Sequence, residues 1–235
     1  MRKANRLNNQ LRDIEFIPSF NPYAEGSCLV KYGNTHVICT ATVDEKVPSW
    51  LKGENKGWLT AEYAMLPRST QTRITREVKK SSGRTQEIQR LIGRSLRAVL
   101  DLEKMPEICI TIDCDVIQAD GGTRVASISG GFIALYLAIK KLLAEGKLQQ
   151  NPIREFVAAV SCDICNNEAV LDVDYTEDST SQVDMNFVMT ESAKIIEIQG
   201  TAEGLPFTRE QFDDLFELGQ LGIRQIIARQ KEVLL

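Results

Sequence analysis

The chain is poor in histidine. His36 is the single one among 235 residues, and it sits in an alternating apolar run. It therefore reads as a strand residue rather than a catalyst, and a serine–histidine–aspartate set is excluded. Nucleotide-cradling motifs are also missing. There is no GxGxxG and no Gly-Lys-Ser/Thr, which argues against dinucleotide and Walker-type sites. No unbroken apolar run reaches the roughly 18 residues expected of a membrane span. Met1 to Arg6 is basic but leads into no apolar segment, so a signal peptide is not expected and the expected location is the cytoplasm. The six cysteines (Cys28, Cys39, Cys109, Cys114, Cys162, Cys165) mostly lie in apolar strand-like runs, as small buried hydrophobes do. The one CxxC, Cys162 to Cys165, falls in a strand pattern that sends the two thiols to opposite faces. Neither disulfides nor zinc are expected. A net charge of −4 and a pI near 5.3 give no general affinity for nucleic acid.

What is present is a large core and a marked rhythm. The 43% hydrophobic content suits one large domain or two smaller ones. Cys28 to Tyr32 and Thr35 to Val43 read as a hairpin around Gly33-Asn34. Leu59 to Met65 reads as a strand, and Thr85 to Leu102 as a helix whose apolar residues recur at helical spacing. Ile108 to Val116 alternates as a strand, followed by a helix that ends near Gly146. Asn151-Pro152 is the best boundary. Beyond it, hairpins are expected around Asn166-Asn167 and Glu191-Ser192. Thr208 to Gln211 is a capping box opening a long helix, with Leu215, Leu218, Leu221, Gly222, Ile226 and Ile227 inward. The expected fold class is α+β, in two parts, 1–151 and 152–235. Each has a mostly antiparallel sheet backed by helices.

Three stretches carry chemistry. Asp120-Gly121-Gly122-Thr123-Arg124 turns a strand into a helix. Its glycines allow positive φ, the helix N-terminus favours anions, and Arg124 adds a planar fork of donors. An anion site and a plain tight turn are both compatible with it. From Arg68 to Arg84 the chain carries Arg68, Arg73, Arg76, Lys79, Lys80 and Arg84 against one acid, Glu77. This is a local basic strip, or else a solvated loop. Arg84 stands at a helix start, where a cation is unfavourable unless an anion lies nearby. Asp172, Asp174, Asp178 and Asp184 lie in or beside an acidic loop, in which two carboxylates can hold a hard cation such as Mg²⁺. A hydrolase usually needs a base to activate water. Phosphorolysis does not, because phosphate is already an anionic nucleophile.

The blocks Arg6–Arg12, Gly57–Thr70, Gly83–Arg94, Asp113–Arg124, Glu177–Met189 and Ile196–Glu203, in this order, closely resemble the ribonuclease PH family. That resemblance implies two halves related to a ribosomal protein S5 domain 2-like βαβα unit. It implies a phosphorolytic 3′-to-5′ exoribonuclease that trims tRNA precursors and other RNA 3′ ends, consuming inorganic phosphate and releasing nucleoside diphosphates. The step would be reversible nucleotidyl transfer. Arg84, Gly122, Thr123 and Arg124 match the family's phosphate elements, although Ser82 stands where a Gly-Gly-Arg-Thr motif would begin. Asp178 and Asp184 match the paired catalytic aspartates that hold Mg²⁺. Arg68, Arg73 and Arg76 match the loop that grips tRNA. A homo-hexamer, as a trimer of dimers, is implied, and no membrane partner. Two rivals remain: a non-catalytic RNA-binding ring subunit, and a small-molecule phosphorylase using the same cradle.

Overall fold

A computed structural model describes residues 2, 5–77 and 81–235. Lys79 and Lys80 of the basic strip lie outside these residues. The first sheet is built from β1 (Ile14–Pro18), β2 (Gly26–Tyr32), β3 (Thr35–Asp44), β4 (Trp58–Met65) and β5 (Cys109–Gln118), in the order β1-β2-β3-β5-β4. Its pairings are antiparallel except β4 with β5. The expected hairpin joins β2 to β3, with Gly33 at φ +54°. β1 is an element that sequence periodicity did not signal. It is a short edge strand ending in Pro18, a position where the missing N–H does no harm.

α1 (Gly83–Ala98) stops short of the expected Leu102. Past it, Leu100 bridges to Ile153 and the Asp101 amide donates to the Pro152 carbonyl. The chain leaves the helix there because its backbone finds partners in the segment leading to the second half. α2 (Thr123–Ala144) follows β5. The second sheet contains β6 (Val157–Cys165), β7 (Glu168–Leu171), β8 (Val183–Thr190) and β9 (Ile195–Ala202), ordered β7-β6-β8-β9 and antiparallel throughout. The turn between β6 and β7 has Asn166 at φ 52° and Asn167 at φ 63°, the left-handed pair a tight hairpin requires. A single helical turn, α3 (Tyr175–Asp178), interrupts the acidic loop, and α4 (Arg209–Leu234) closes the chain behind its expected capping box.

α2 lies between the two sheets. It packs on β2 and β3 on one side and on β6 on the other. A methyl group on Gly130 would stand 2.4 Å from Val30 Cγ1, so this helix–sheet approach needs glycine. With a mean hydropathy of 1.4 over its best window, α2 is long and apolar enough to cross a membrane. No unbroken run signalled it, and its apolar surface is taken up by the core. α4 buries Leu215, Gly219, Gly222, Ile223, Ile226 and Ile227, while Leu218 and Leu221 are only half-buried. Four of the six expected residues are thus buried and Leu218 packs at the edge of the core, while Gly219 and Ile223 join the stripe in place of Leu221. Gln230 on α4 is fully buried and donates from Nε2 to the carbonyls of Ser129 in α2 and Val157 in β6. One continuous core serves both halves.

Candidate active site

The glycine turn is held from several directions. Gly121 and Gly122 adopt φ +75° and +67°. A Cβ on Gly121 would lie 2.7 Å from the Val173 carbonyl oxygen, so only glycine lets the turn meet the loop before α3. The Asp120 amide donates to Thr35 Oγ1 at 2.9 Å, and that hydroxyl donates to the Gly121 carbonyl at 2.6 Å. The Tyr175 amide donates to Asp120 Oδ1 at 3.3 Å. α2 begins at Gly122 without a side-chain cap, which leaves its first amides for a ligand. Thr123 Oγ1 lies 2.9 Å from the Tyr63 hydroxyl. Arg124 is set by Gln199 of β9, at 3.1 Å, and by Glu87 of α1, at 3.7 Å.

Arg84 comes from a different element. The Ser82 hydroxyl caps α1 by accepting from the Thr85 amide, and Glu77 accepts from the Ser82 amide. Arg84 is thus the second residue of α1, exposed, with no ion pair among the described residues. The acidic loop is fixed by its own capping box, in which Asp174 accepts from Thr176 and Glu177, and by Arg2 and Arg6, which pair with Glu177. Asp178 ends α3, rather than lying on an open loop. Asp184 begins β8, and Asn186 Nδ2 donates to its Oδ1 at 3.2 Å.

These elements meet at one cleft of about 60 Å³, lined by Arg84, Gly122, Thr123, Arg124, Ser161, Val173, Asp178, Asp184 and Asn186. That is room for a few water-sized groups, the scale of a phosphate. A wider groove of about 540 Å³ runs along α4 between Asn9, Ala169 and Arg224, but it gathers no pair of arginines. Burial raises the Asp178 carboxyl, with the neighbouring Asp184 adding to it and Arg84 and Arg124 pulling back. Burial also raises Asp184, against the pull of Arg124. Arg68, Arg73 and Arg76 are exposed and do not line this cleft.

Sequence reasoning missed Arg12, Ser161, Asp163 and Asn186. Arg12 is buried and holds Asp172 through its amide and guanidinium, at 2.7 to 3.1 Å. Its Nη1 donates to the Asp120 carbonyl at 2.6 Å. It thereby ties the glycine turn to the acidic loop, and Asp172 is occupied there rather than at the carboxylate pair. Ser161 reaches the cleft with a hydroxyl that lacks a hydrogen-bond partner among the described residues. Asp163, two residues on, faces Asp184 across the β6–β8 ladder. Its carboxylate, with those of Asp178 and Asp184, makes a trio whose ligand atoms lie within 4.8 Å of one another. Burial first, then the charges of Asp184 and Asp178, push Asp163 up to about 8. The signal was available: polar residues two apart in an otherwise apolar strand, Ser161 and Asp163, match Asp184 and Asn186 in the next.

Known proteins share this architecture. The model of domain 1 of the 3′ exoribonuclease family matches residues 10–140, and that of domain 2 matches residues 155–221. Ribonuclease PH of Neisseria meningitidis serogroup B is 57% identical over 234 residues, covering 99% of this chain and 97% of that protein. Ribonuclease PH of Rhodospirillum rubrum is 55% identical over 236 residues, covering 100% and 98%. Among solved structures, rice (Oryza sativa) Rrp46 superposes with a TM-score of 0.81 at 16% identity, over 100% of both chains. The Archaeoglobus fulgidus exosome with RNA bound to its active site gives 0.80 at 20% identity, over 97% of this chain and 92% of that one; both show the shared fold. Two family domains matched in order, and relatives more than half identical from end to end, establish that the chain belongs to the ribonuclease PH group of the 3′ exoribonuclease family.

Proposed function

We propose that the cleft between α1, α2 and α3 is the phosphorolytic centre of a 3′-to-5′ exoribonuclease that trims tRNA precursors. The observation that carries this is the convergence of Arg84, the Gly122–Arg124 turn, Asp178 and Asp184 around one phosphate-sized space. Arg84 and Arg124 hold inorganic phosphate by charge-assisted hydrogen bonds, and the uncapped amides of α2 add to them. A phosphate oxygen attacks the phosphorus of the last phosphodiester in line with the departing 3′ oxygen. The P–O3′ bond breaks, a nucleoside 5′-diphosphate leaves, and the RNA keeps a 3′ hydroxyl one nucleotide shorter. A phosphoanhydride replaces a phosphodiester, so the reverse reaction adds nucleotides from diphosphates.

Asp178 and Asp184 offer hard oxygen donors within reach of one another, which fits Mg²⁺. Bound there, Mg²⁺ supplies Lewis-acid neutralisation of charge on the departing oxygen. Gln199 and Glu87 keep the Arg124 fork oriented, and Asn186 orients Asp184. Arg68, Arg73 and Arg76 lie on an exposed segment that contacts the RNA body at a distance from the chemistry. A homo-hexamer, as a trimer of dimers, belongs to this proposal, and native mass spectrometry tests it.

The deciding assay incubates the protein with a tRNA carrying extra 3′ nucleotides, with and without phosphate. Phosphate-dependent release of nucleoside diphosphates is expected. Release of monophosphates, or none, would refute the proposal. Arg84→Ala is expected to raise the phosphate concentration needed by about 10- to 100-fold. Its RNA affinity should change little.

A further inference from the structure

We infer that Asp163 is a third carboxylate of the cation site, completing it from the β6 side and raising its affinity for a hard divalent cation. This rests on the proposed seat of that cation at Asp178 and Asp184. Asp163 is 0% exposed, and neither of its carboxylate oxygens has a hydrogen-bond partner among the described residues. Ser181 and the Met185 backbone stand near enough to favour the charged form slightly, but neither makes a hydrogen bond of ordinary geometry. No ion pair reaches it among the described residues. Its direct cross-strand neighbour is another acid, Asp184. Like charges directly opposite on a sheet repel, and a buried carboxylate without a partner is costly.

The nearby arginines do not resolve this. Arg124 is already shared between Glu87 and Gln199, and Arg84, on α1, pulls on Asp178 and Asp184 but forms no ion pair with Asp163 among the described residues. What the trio lacks is positive charge from outside the chain. Its geometry suits one. The three carboxylates, one oxygen from each, lie within 4.8 Å of one another. Ligand oxygens of a magnesium ion stand at most about 4.2 Å apart across it, so modest side-chain closure brings all three into reach. Asp163 does not line the cleft itself, so it leaves the open side of the cation to phosphate and RNA.

The test measures cation binding rather than turnover. Mn²⁺ is titrated into the full-length protein by electron paramagnetic resonance. Melting is followed in EDTA and in Mg²⁺. Wild type, Asp163→Asn and Asp184→Asn are compared, with Asp163→Ala as a second variant in case a buried amide is poorly accommodated. Expected for both Asp163 variants is Mn²⁺ affinity lower by about tenfold or more. Their Tm in EDTA should exceed that of wild type, with a smaller gain on adding Mg²⁺. A merely structural role would lower Tm equally in both conditions. Wild-type Mn²⁺ affinity and an undiminished Mg²⁺ gain in the Asp163 variants would overturn the inference while the Asp178–Asp184 seat stood. If wild type binds no Mn²⁺, or Asp184→Asn binds it as wild type does, the seat itself fails and the inference with it.

Discussion

Asp172 and Asp163 lie at opposite ends of the same kind of problem. Both are aspartates of the second half, and both are 0% exposed. Asp172 receives three hydrogen bonds from Arg12, two of them from the guanidinium. It also sits at φ 55°, a conformation unusual for a side chain other than glycine and held by that network. Asp163 receives no hydrogen bond from the described residues. The first charge is answered within the chain and locks the acidic loop to the glycine turn. The second, like Arg84 on the cleft and the exposed Arg68 and Arg73, has no ion-pair partner among the described residues. Charges satisfied internally build the scaffold, while charges left open mark where ligands belong.

Arg12→Ala should produce the largest effect on this contrast. It strips both guanidinium bonds from Asp172 and leaves this buried acid with the residue-12 backbone amide and the Arg6 guanidinium at 4.0 Å. A loss of about 3–5 kcal/mol is expected, read by urea or thermal unfolding. A loss below about 1 kcal/mol would show that Asp172 does not depend on Arg12, and the comparison would break. Replacing Arg68, Arg73 and Arg76 together with alanine removes three exposed charges that form no ion pair among the described residues, although Arg76 lies near enough to Asp115 to favour its charged form. Stability should hold, while the logarithmic salt dependence of RNA affinity falls by up to about 3. An unchanged slope would move the RNA contact away from this segment.

Glu155→Gln gives the smallest and sharpest control. Glu155 is a half-buried surface acid answered by Lys194 and Ser192, and those hydrogen bonds hold its carboxyl down to about 2. A depressed acid contributes stability that is present above its ordinary range and lost as pH falls through the folded value. The variant should therefore melt slightly below wild type at neutral pH, and the gap should close as pH falls from about 4.5 toward 2. A gap constant with pH would mean that packing, not charge, is responsible.

Much of this was legible in the residues. The hairpin at Gly33-Asn34, the β5-to-α2 turn and the capping box at Thr208 follow local chemistry, so they stand where sequence places them. β1 was not legible because an edge strand needs no strong alternation. The end of α1 was not, because Leu100 and Asp101 are drawn off by Ile153 and Pro152, some fifty residues on. Sequence places Leu218 and Leu221 inward because the helical stripe can be drawn at two nearby phases, and only the strands packed against α4, β1, β6, β7 and β8, choose between them.

Sequence by itself determined the vocabulary of the site: an uncapped helix start after two left-handed glycines, an arginine opening another helix, and acids around a loop. Local propensity and chemistry are written along the chain, so these pieces are read without a fold. Tertiary structure alone decided that they converge, because residues 84, 124 and 184 meet only when α1, α2 and β8 pack around a shared core. It also decided that Asp172 is a clamp while Asp163 stands unpaired. Whether a buried charge has a partner depends on which strands and helices lie across from it, and strand register settled that by setting Asp163 opposite Asp184.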